Sequence, residues 1–247
     1  MKLIHAAASH LGRRANQEDS YCARDDLGLF AVADGMGGYE GGEVASDLTI
    51  STMCEFYDST LSDGERTWPV GVDPRRSMAE NRLAAAVRLA NSKVAARRQG
   101  RLANMGSTVA ALDLHNGAAT VGHVGDSRVY RLRDGALVQL TRDHSLLEAL
   151  TASGAEVDPA NFGYRNIIVR ALGFDNALPD VSVDAVRPGD VYLLCTDGLT
   201  DPLTDDDIGF LLYTRPPAAA ARDLVGLAYE LGGRDNITVV VIKVLAA

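Results

Sequence analysis

Aspartates placed beside glycine are the first feature of this chain that could do chemistry. Asp34-Gly35 and Asp197-Gly198 each close a continuously apolar run, Asp126 follows Gly125, and Asp235-Asn236 opens the last strand-like segment. Glycine lets the backbone bend or approach closely, so the neighbouring carboxylate and carbonyl can face one ion together. Oxygen-only ligands at strand ends suit hard cations such as Mg2+ or Mn2+. One Asp-Gly pair alone is ordinarily a turn. Two that end central strands point to a shared site, and carboxylates crowded there repel one another unless a cation intervenes. Near the N-terminus stands Arg13-Arg14-Ala15-Asn16-Gln17-Glu18-Asp19. Its plain reading is a solvated charged loop. Its functional reading is a phosphate clamp by Arg14, beside carboxylates that orient water.

The elements that must position these residues follow from periodicity. Residues 2–8 and 27–33 read as strands, the second buried and ending in the turn at Asp34-Gly35. Residues 41–57 read as a helix. Leu83, Ala86, Val87, Ala90 and Val94 lie on one helical face. The stretch 58–77, with Gly64, Pro69 and Pro74, reads as a surface loop. Strands are expected at 107–114, 118–124, 127–133 and 136–141, with hairpin turns at Asn116-Gly117 and Asp134-Gly135. A short helix over 144–153 precedes an irregular stretch at 154–164 that carries Pro159 and Gly163. Strands at 181–186 and 191–196, helices at 205–213 and 217–231, and a strand at 236–244 complete the chain. Hairpins without βαβ crossovers make this an α+β chain of antiparallel sheets with helices outside. No linker divides it, so residues 1–247 are expected to form one domain.

Composition excludes several classes. Hydrophobic residues at 47% and charged residues at 23% are globular values, not those of a disordered chain. A net charge of −9 and a pI near 5.0 argue against binding to nucleic-acid phosphates and against a polybasic membrane anchor. Cys22, Cys54 and Cys195 are odd in number and widely spaced, with no CxxC. Neither a disulfide framework nor a cysteine zinc site is expected, and a reducing, cytoplasmic compartment is. No apolar run approaches the length of a membrane span. The first eight residues are too short a run for a signal peptide and are interrupted by His5. Asp outnumbers Glu 24 to 9, which favours loops, caps and metal ligation over helix interiors.

Taken in order, the motifs match a family. They are Arg14-x-x-x-Glu18-Asp19, Ala33-Asp34-Gly35-Met36-Gly37-Gly38, Gly106-Ser107-Thr108, Val124-Gly125-Asp126-Ser127-Arg128, Thr141-Arg142-Asp143-His144, Arg170-Ala171-Leu172-Gly173, Thr196-Asp197-Gly198-Leu199 and Arg234-Asp235-Asn236-Ile237-Thr238. In this order and spacing the chain resembles the metal-dependent protein phosphatases of the protein phosphatase 2C type, bacterial branch. The matches run from about residue 9 to 244. Each is weak alone; the ordered set is specific.

The resemblance implies a four-layer αββα sandwich, with two antiparallel β-sheets flanked by helices and a metal centre at one end. It implies that Asp34 bridges two Mn2+ or Mg2+ ions and that the Gly35 carbonyl binds one. Asp197 and Asp235 would complete the first ion, and Asp126 with Asp197 would hold a third, weaker one. Glu18 and Asp19 would hold water beside the ions, and Arg14 would grip the substrate phosphate. Residues 145–166 correspond to a flap that varies among relatives. The implied activity is hydrolysis of phosphoserine and phosphothreonine on proteins by a metal-activated water, reversing Ser/Thr kinase signalling. The implied partners are phosphorylated proteins, with no nucleic acid and no membrane, and the chain is expected to be a cytoplasmic monomer. The alternative is a non-catalytic, phosphoprotein-binding relative, although such decay usually removes metal carboxylates. Some relatives carry His directly after the Asp-Gly pair as a general acid. Met36 stands there instead, which leaves the general acid unassigned. His144 is expected to make a structural hydrogen bond, His123 to be a satisfied strand histidine and Cys195 to be a buried inert thiol. Ser107 and Thr108 are read as strand residues without a site role.

Overall fold

Alternation along the central strands decides the architecture. In the strand Leu29–Met36, Leu29, Ala31 and Ala33 pack into one core while Phe30 and Val32 pack into another. The strand Val191–Cys195 divides likewise: Val191, Leu193 and Cys195 face one way, Tyr192 and Leu194 the other. Successive side chains of a strand point to opposite faces, so a run apolar at every position is buried on both. The sheets therefore lie against each other on one face and against helices on the other.

The computed structural model describes residues 2–38, 40–62, 68, 70–158, 162–164 and 167–246. Its strands are β1 (Lys2–His10), β2 (Asp19–Arg24), β3 (Leu29–Met36), β4 (Gly106–Ser107), β5 (Val109–His115), β6 (Ala118–Val124), β7 (Arg128–Arg133), β8 (Ala136–Gln139), β9 (Asp180–Ala185), β10 (Val191–Cys195) and β11 (Ile237–Leu245). Its helices are α1 (Gly41–Ser62), α2 (Met78–Arg97), α3 (Leu146–Ala152), α4 (Asp197–Thr200), α5 (Asp205–Thr214) and α6 (Pro217–Glu230). One sheet runs β1-β11-β10-β7-β8. The other runs β2-β3-β5-β6-β9, with β4 also paired to β3, and every pairing is antiparallel. Helices α1 and α2 cover the second sheet, and α5 and α6 cover the first. The expected αββα sandwich is what the chain forms.

Local signals set the boundaries. Asn116 and Gly117, then Asp134 and Gly135, all take positive φ and close the β5–β6 and β7–β8 hairpins. Ser77 and Glu80 form a capping box on α2, and Thr204 and Asp207 form one on α5. Pro217 opens α6, where its missing N–H costs nothing.

The structure corrects three sequence readings. Asp19, read as the end of a charged loop, opens strand β2; β2 is an edge strand that buries only Cys22, so its alternation is faint. Helix α1 continues past Tyr57 to Ser62, where Ser59, Thr60 and Ser62 donate to carbonyls one turn back and Thr60 is buried. The short helix α4, which begins at Asp197 itself, carries too few residues to show a period. Gly64, Pro69 and Pro159, which support the loop assignments, lie outside the described residues. Among the described residues no helix is long and apolar enough to cross a membrane.

Candidate active site

Strand β3 ends at one edge of the sandwich, and its last residues are held from three sides. The Asp34 N–H donates to Thr108 Oγ1 at 3.0 Å. The Asp34 carbonyl accepts from the Thr108 N–H at 2.8 Å and from Ser107 Oγ at 3.1 Å. Thr108 Oγ1 in turn meets Ser127 Oγ at 2.7 Å. Ser107 and Thr108, read from sequence as plain strand residues, fix the backbone of the central aspartate. Gly35 is obligatory for a different reason: any side chain there would strike the Gly42 carbonyl at the start of α1. A methyl group on Gly42 would reach to 2.6 Å from the Glu18 carboxylate, which accepts the Gly42 N–H.

Register puts Asp19 directly opposite Asp34 across β2 and β3. Thr196 Oγ1 donates to Asp19 Oδ2 at 2.9 Å, and the Thr238 hydroxyl bonds the same carboxylate. Ser9 Oγ lies 2.8 Å from Thr238 Oγ1 and accepts Gln17 Nε2 at 2.7 Å. A chain of hydroxyls thus stands behind Asp19, with no cation in it. Asp197 follows β10 and opens α4, and its carboxyl shares a hydrogen bond with that of Asp34. Asn236, buried just before β11, knits the N-terminal loop to this edge. Its Nδ2 donates to the carbonyls of Leu11 (2.8 Å) and Asn16 (3.0 Å), and its Oδ1 accepts the Glu18 N–H at 2.7 Å.

The electrostatics follow from this packing. Burial first, then the charges of Asp197, Asp19, Asp126 and Asp235, hold the Asp34 carboxyl well above the usual carboxylate range. Burial pushes Asp126 up to about 8, with Asp197 and Asp143 adding to the shift. Asp19 rises to about 7, burial outweighing its two threonine hydrogen bonds. Asp197 rises to about 6 through burial and then Asp235 and Asp201. Glu18 is raised by burial, against the pull of Arg14. Three buried oxygens, Asp19 Oδ1, Asp126 Oδ1 and Asp197 Oδ1, have no hydrogen-bond partner among the described residues. Orphaned anionic oxygens of this kind are costly unless a cation faces them. An oxygen-only set with orphan lone pairs fits hard divalent ions.

Two placements differ from the sequence expectation. Arg14 lies on Asp235, with Nη2 to Oδ2 at 2.5 Å, and its Nε donates to the Arg234 carbonyl at 3.2 Å. Asp235 still carries charge to Asp34 and Asp197, but the three do not bring their oxygens within 4.8 Å of one another. Among the described residues, the set of three possible ligands whose atoms lie within 4.8 Å of one another is His123, His144 and Asp180. That set is already committed to hydrogen bonds. His144 Nδ1 accepts the Gly125 N–H at 3.1 Å, its Nε2 faces Asp180 Oδ2 at 3.2 Å, and His123 Nε2 meets the Arg142 carbonyl at 2.7 Å. The rings stack with centroids 4.5 Å apart. Burial, then His123, lowers the His144 pKa to about 4, so a neutral ring ties the loop before Asp126 to β9. The structural roles expected of both histidines hold, and Cys195 is fully buried with its thiol pushed up to about 12 by burial.

Asp126 and Asp197 face a cleft of about 200 Å3, whose far wall is Asp143, Ser145 and Glu148 at the base of the flap. Arg128 forks onto Asp143 with contacts of 2.7 to 3.0 Å, holding that wall in place. The signal for the residues missed in the sequence is a hydroxyl next to a site segment: Thr108, between β4 and β5 and not in a strand as read, which bonds the Asp34 backbone, and Thr196, immediately before Asp197, which bonds Asp19.

A sandwich of this topology with a carboxylate cluster at its edge defines a class, and comparison with known proteins gives the same class. The family profile described as "Protein phosphatase 2C" matches residues 6–223, and the chain belongs to that family. It is 38% identical over 248 residues to "Serine/threonine protein phosphatase PstP" of Mycobacterium tuberculosis, covering 98% of this chain and 45% of that protein. The chain thus spans about half the length of that relative. It is 30% identical to "Serine/threonine phosphatase stp" of Listeria monocytogenes over 230 residues, covering 89% of this chain and 86% of that one. The solved catalytic domain of PstP in complex with two manganese ions superposes with a TM-score of 0.83 at 38% identity, covering 99% of each chain.

Proposed function

We propose that this chain is a single catalytic domain that hydrolyses phosphoserine and phosphothreonine on proteins, reversing the action of a Ser/Thr kinase. The observation that supports this most is the group Asp19, Asp34, Asp126 and Asp197, in which Asp19 Oδ1, Asp126 Oδ1 and Asp197 Oδ1 are buried with no partner among the described residues and the Asp34 carboxyl is raised by its neighbours' charges. Asp34, Asp197, Asp235 and the Gly35 carbonyl would hold two Mn2+ or Mg2+ ions, and Asp126 with Asp197 a third. When bound, such ions supply Lewis acidity, charge neutralisation and a nucleophile acidic enough to form at neutral pH.

The chain's own residues supply the rest. Asp34 is fixed by Ser107 and Thr108, so its carboxylate is presented without further ordering on binding. Asp19, braced by Thr196 and Thr238, and Glu18, braced by the Gly42 N–H, accept hydrogen bonds from water entering the site. Arg14 is half exposed and its planar fork matches two phosphate oxygens; it exchanges Asp235 for substrate. His144 is spent on Gly125 and Asp180 and does not protonate the leaving alkoxide. The non-catalytic alternative gains nothing from the site, which retains every carboxylate expected of it. We further propose that the domain acts as a cytoplasmic monomer.

The test is turnover of a phosphothreonine peptide with Mn2+ and then with excess chelator. Activity that appears with the metal and vanishes with the chelator is expected. Equal turnover in both, or peptide binding without any turnover, would overturn the proposal.

A further inference from the structure

Two cysteines that the sequence keeps 32 positions apart meet in the fold. Cys22 Sγ, on β2, lies 2.7 Å from Cys54 Sγ, on α1. Both sit in the core between the second sheet and its helices, and both are free thiols. This separation is well inside an ordinary S–H···S contact, though longer than the roughly 2.05 Å of an S–S bond. We infer that Cys22 and Cys54 form a reversible thiol–disulfide site, open at rest and closed by peroxide, that ties β2 to α1.

The pair is asymmetric, as such chemistry requires. Cys54 is partly exposed, while Cys22 is buried. The Cys22 hydrogen bond and then the Arg24 guanidinium favour the Cys54 thiolate and lower its pKa. The Cys54 contact and burial push the Cys22 thiol up. Cys54 is the attacking sulfur. Its thiolate takes one oxygen of hydrogen peroxide, the O–O bond breaks, and the other oxygen leaves as water after gaining a proton. Cys22 sulfur then displaces the hydroxyl of the Cys54 sulfenic acid, and its own proton leaves with that hydroxyl as a second water. Two thiols are oxidised by two electrons, and one peroxide is reduced to two waters. Cys195, fully buried, takes no part.

The bridge lies three residues beyond Asp19 on β2 and joins that strand to the helix whose first turn holds Glu18. Closing it leaves the fold intact and cross-links the unfolded chain, so the oxidised protein melts higher by about 5 °C or more. The inference does not rest on the proposed activity, because its test reads thiols and masses.

Full-length protein exposed to hydrogen peroxide is titrated for thiols under denaturing conditions and digested with trypsin without reductant. Free thiols fall from three to one, peptides 15–24 and 25–66 appear joined with the loss of two hydrogens, and dithiothreitol reverses both. In Cys54→Ser, Cys22 keeps its thiol at the same dose. Three thiols after exposure, loss of thiols without the joined peptides, or oxidation of Cys22 as fast in Cys54→Ser would each overturn the inference.

Discussion

Buried carboxylates occur in two kinds of place in this fold, and only one kind has its counter-charge built in. Asp190, just before β10, is almost wholly buried. It accepts Arg133 Nε and Nη2 at 2.7 Å each, and the Arg187 N–H at 2.7 Å. Burial alone would raise its pKa, but those hydrogen bonds leave it below the usual carboxylate range. Asp143 is gripped the same way by Arg128. At the other place Asp126 is buried, Asp19, Asp34 and Asp197 are half-buried, and the four feel one another's charge; Asp19 has only threonine hydroxyls where Asp190 has a guanidinium. Their pKa values all rise. The same chain solves the problem of a buried carboxylate with arginine in one region and leaves it unsolved in the other. Carboxylates left in that state fit the cation site proposed for them.

Substitutions that strike each region separately sharpen the contrast. Asp34→Asn removes the central charge but keeps the hydrogen-bonded backbone, and should cost on the order of 10^3-fold or more in kcat, with a melting temperature near that of the parent. Arg133→Ala should do the reverse. It strands Asp190 without its partner and should destabilise the fold by about 3 kcal/mol in denaturant titration while leaving kcat unchanged. If the two variants share one phenotype, the distinction between the regions fails.

A smaller effect tests the hydroxyls. Thr196→Val leaves shape and burial almost unchanged but deprives Asp19 of its 2.9 Å donor. A drop of about 10- to 100-fold in Mn2+ affinity or kcat is expected from loss of such a supporting contact, and Thr196→Ser should recover most of it. A Thr196→Val variant equal to the parent, or a Thr196→Ser variant as impaired as Thr196→Val, would mean that the hydroxyl alone does not account for the support.

The smallest effect is in stability against pH. Without metal, the site carboxylates have folded pKa values of about 6 for Asp197, 7 for Asp19 and 8 for Asp126, above those of the unfolded chain. The native state therefore binds more protons than the unfolded one. The stability this contributes is complete below the unfolded values near 4 and is lost as pH rises through the folded ones. The melting temperature of metal-free protein should fall by several degrees between about pH 5 and about pH 8.5, and Mn2+ should remove most of that fall. A melting temperature that climbs across this range in chelator would contradict the assignment.

Much of this contrast was legible in the sequence, and the illegible part has physical reasons. The apolar runs before Asp34 and Asp197 are strands buried on both faces, as read, but the turn expected at Asp34-Gly35 is not formed: β3 pairs on through Gly35 and Met36 with β4, while Asp197 does follow the end of β10. The hairpins at Asn116-Gly117 and Asp134-Gly135 declare themselves through their turn residues. The edge strand β2 buries one residue and shows no period, so Asp19 was foreseen as part of a loop. Ser107, Thr108 and Thr196 look like ordinary strand residues, because a hydroxyl that braces a carboxylate from another strand leaves no local pattern. The meeting of Arg14 with Asp235 and of Cys22 with Cys54 depends on packing between distant segments, which spacing along the chain does not encode.

The central claim is that the carboxylates without arginine await divalent ions, and calorimetric titration of Mn2+ into metal-free protein addresses it most directly. At about pH 6.5 in two buffers of different ionisation enthalpy, at least two ions should bind per chain, and protons should be released as the raised carboxylates give them up. Asp34→Asn should lose the paired ions, while Arg133→Ala should bind them as the parent does. A protein that binds no Mn2+, or an Asp34→Asn variant that still binds two ions with undiminished affinity, would contradict the account.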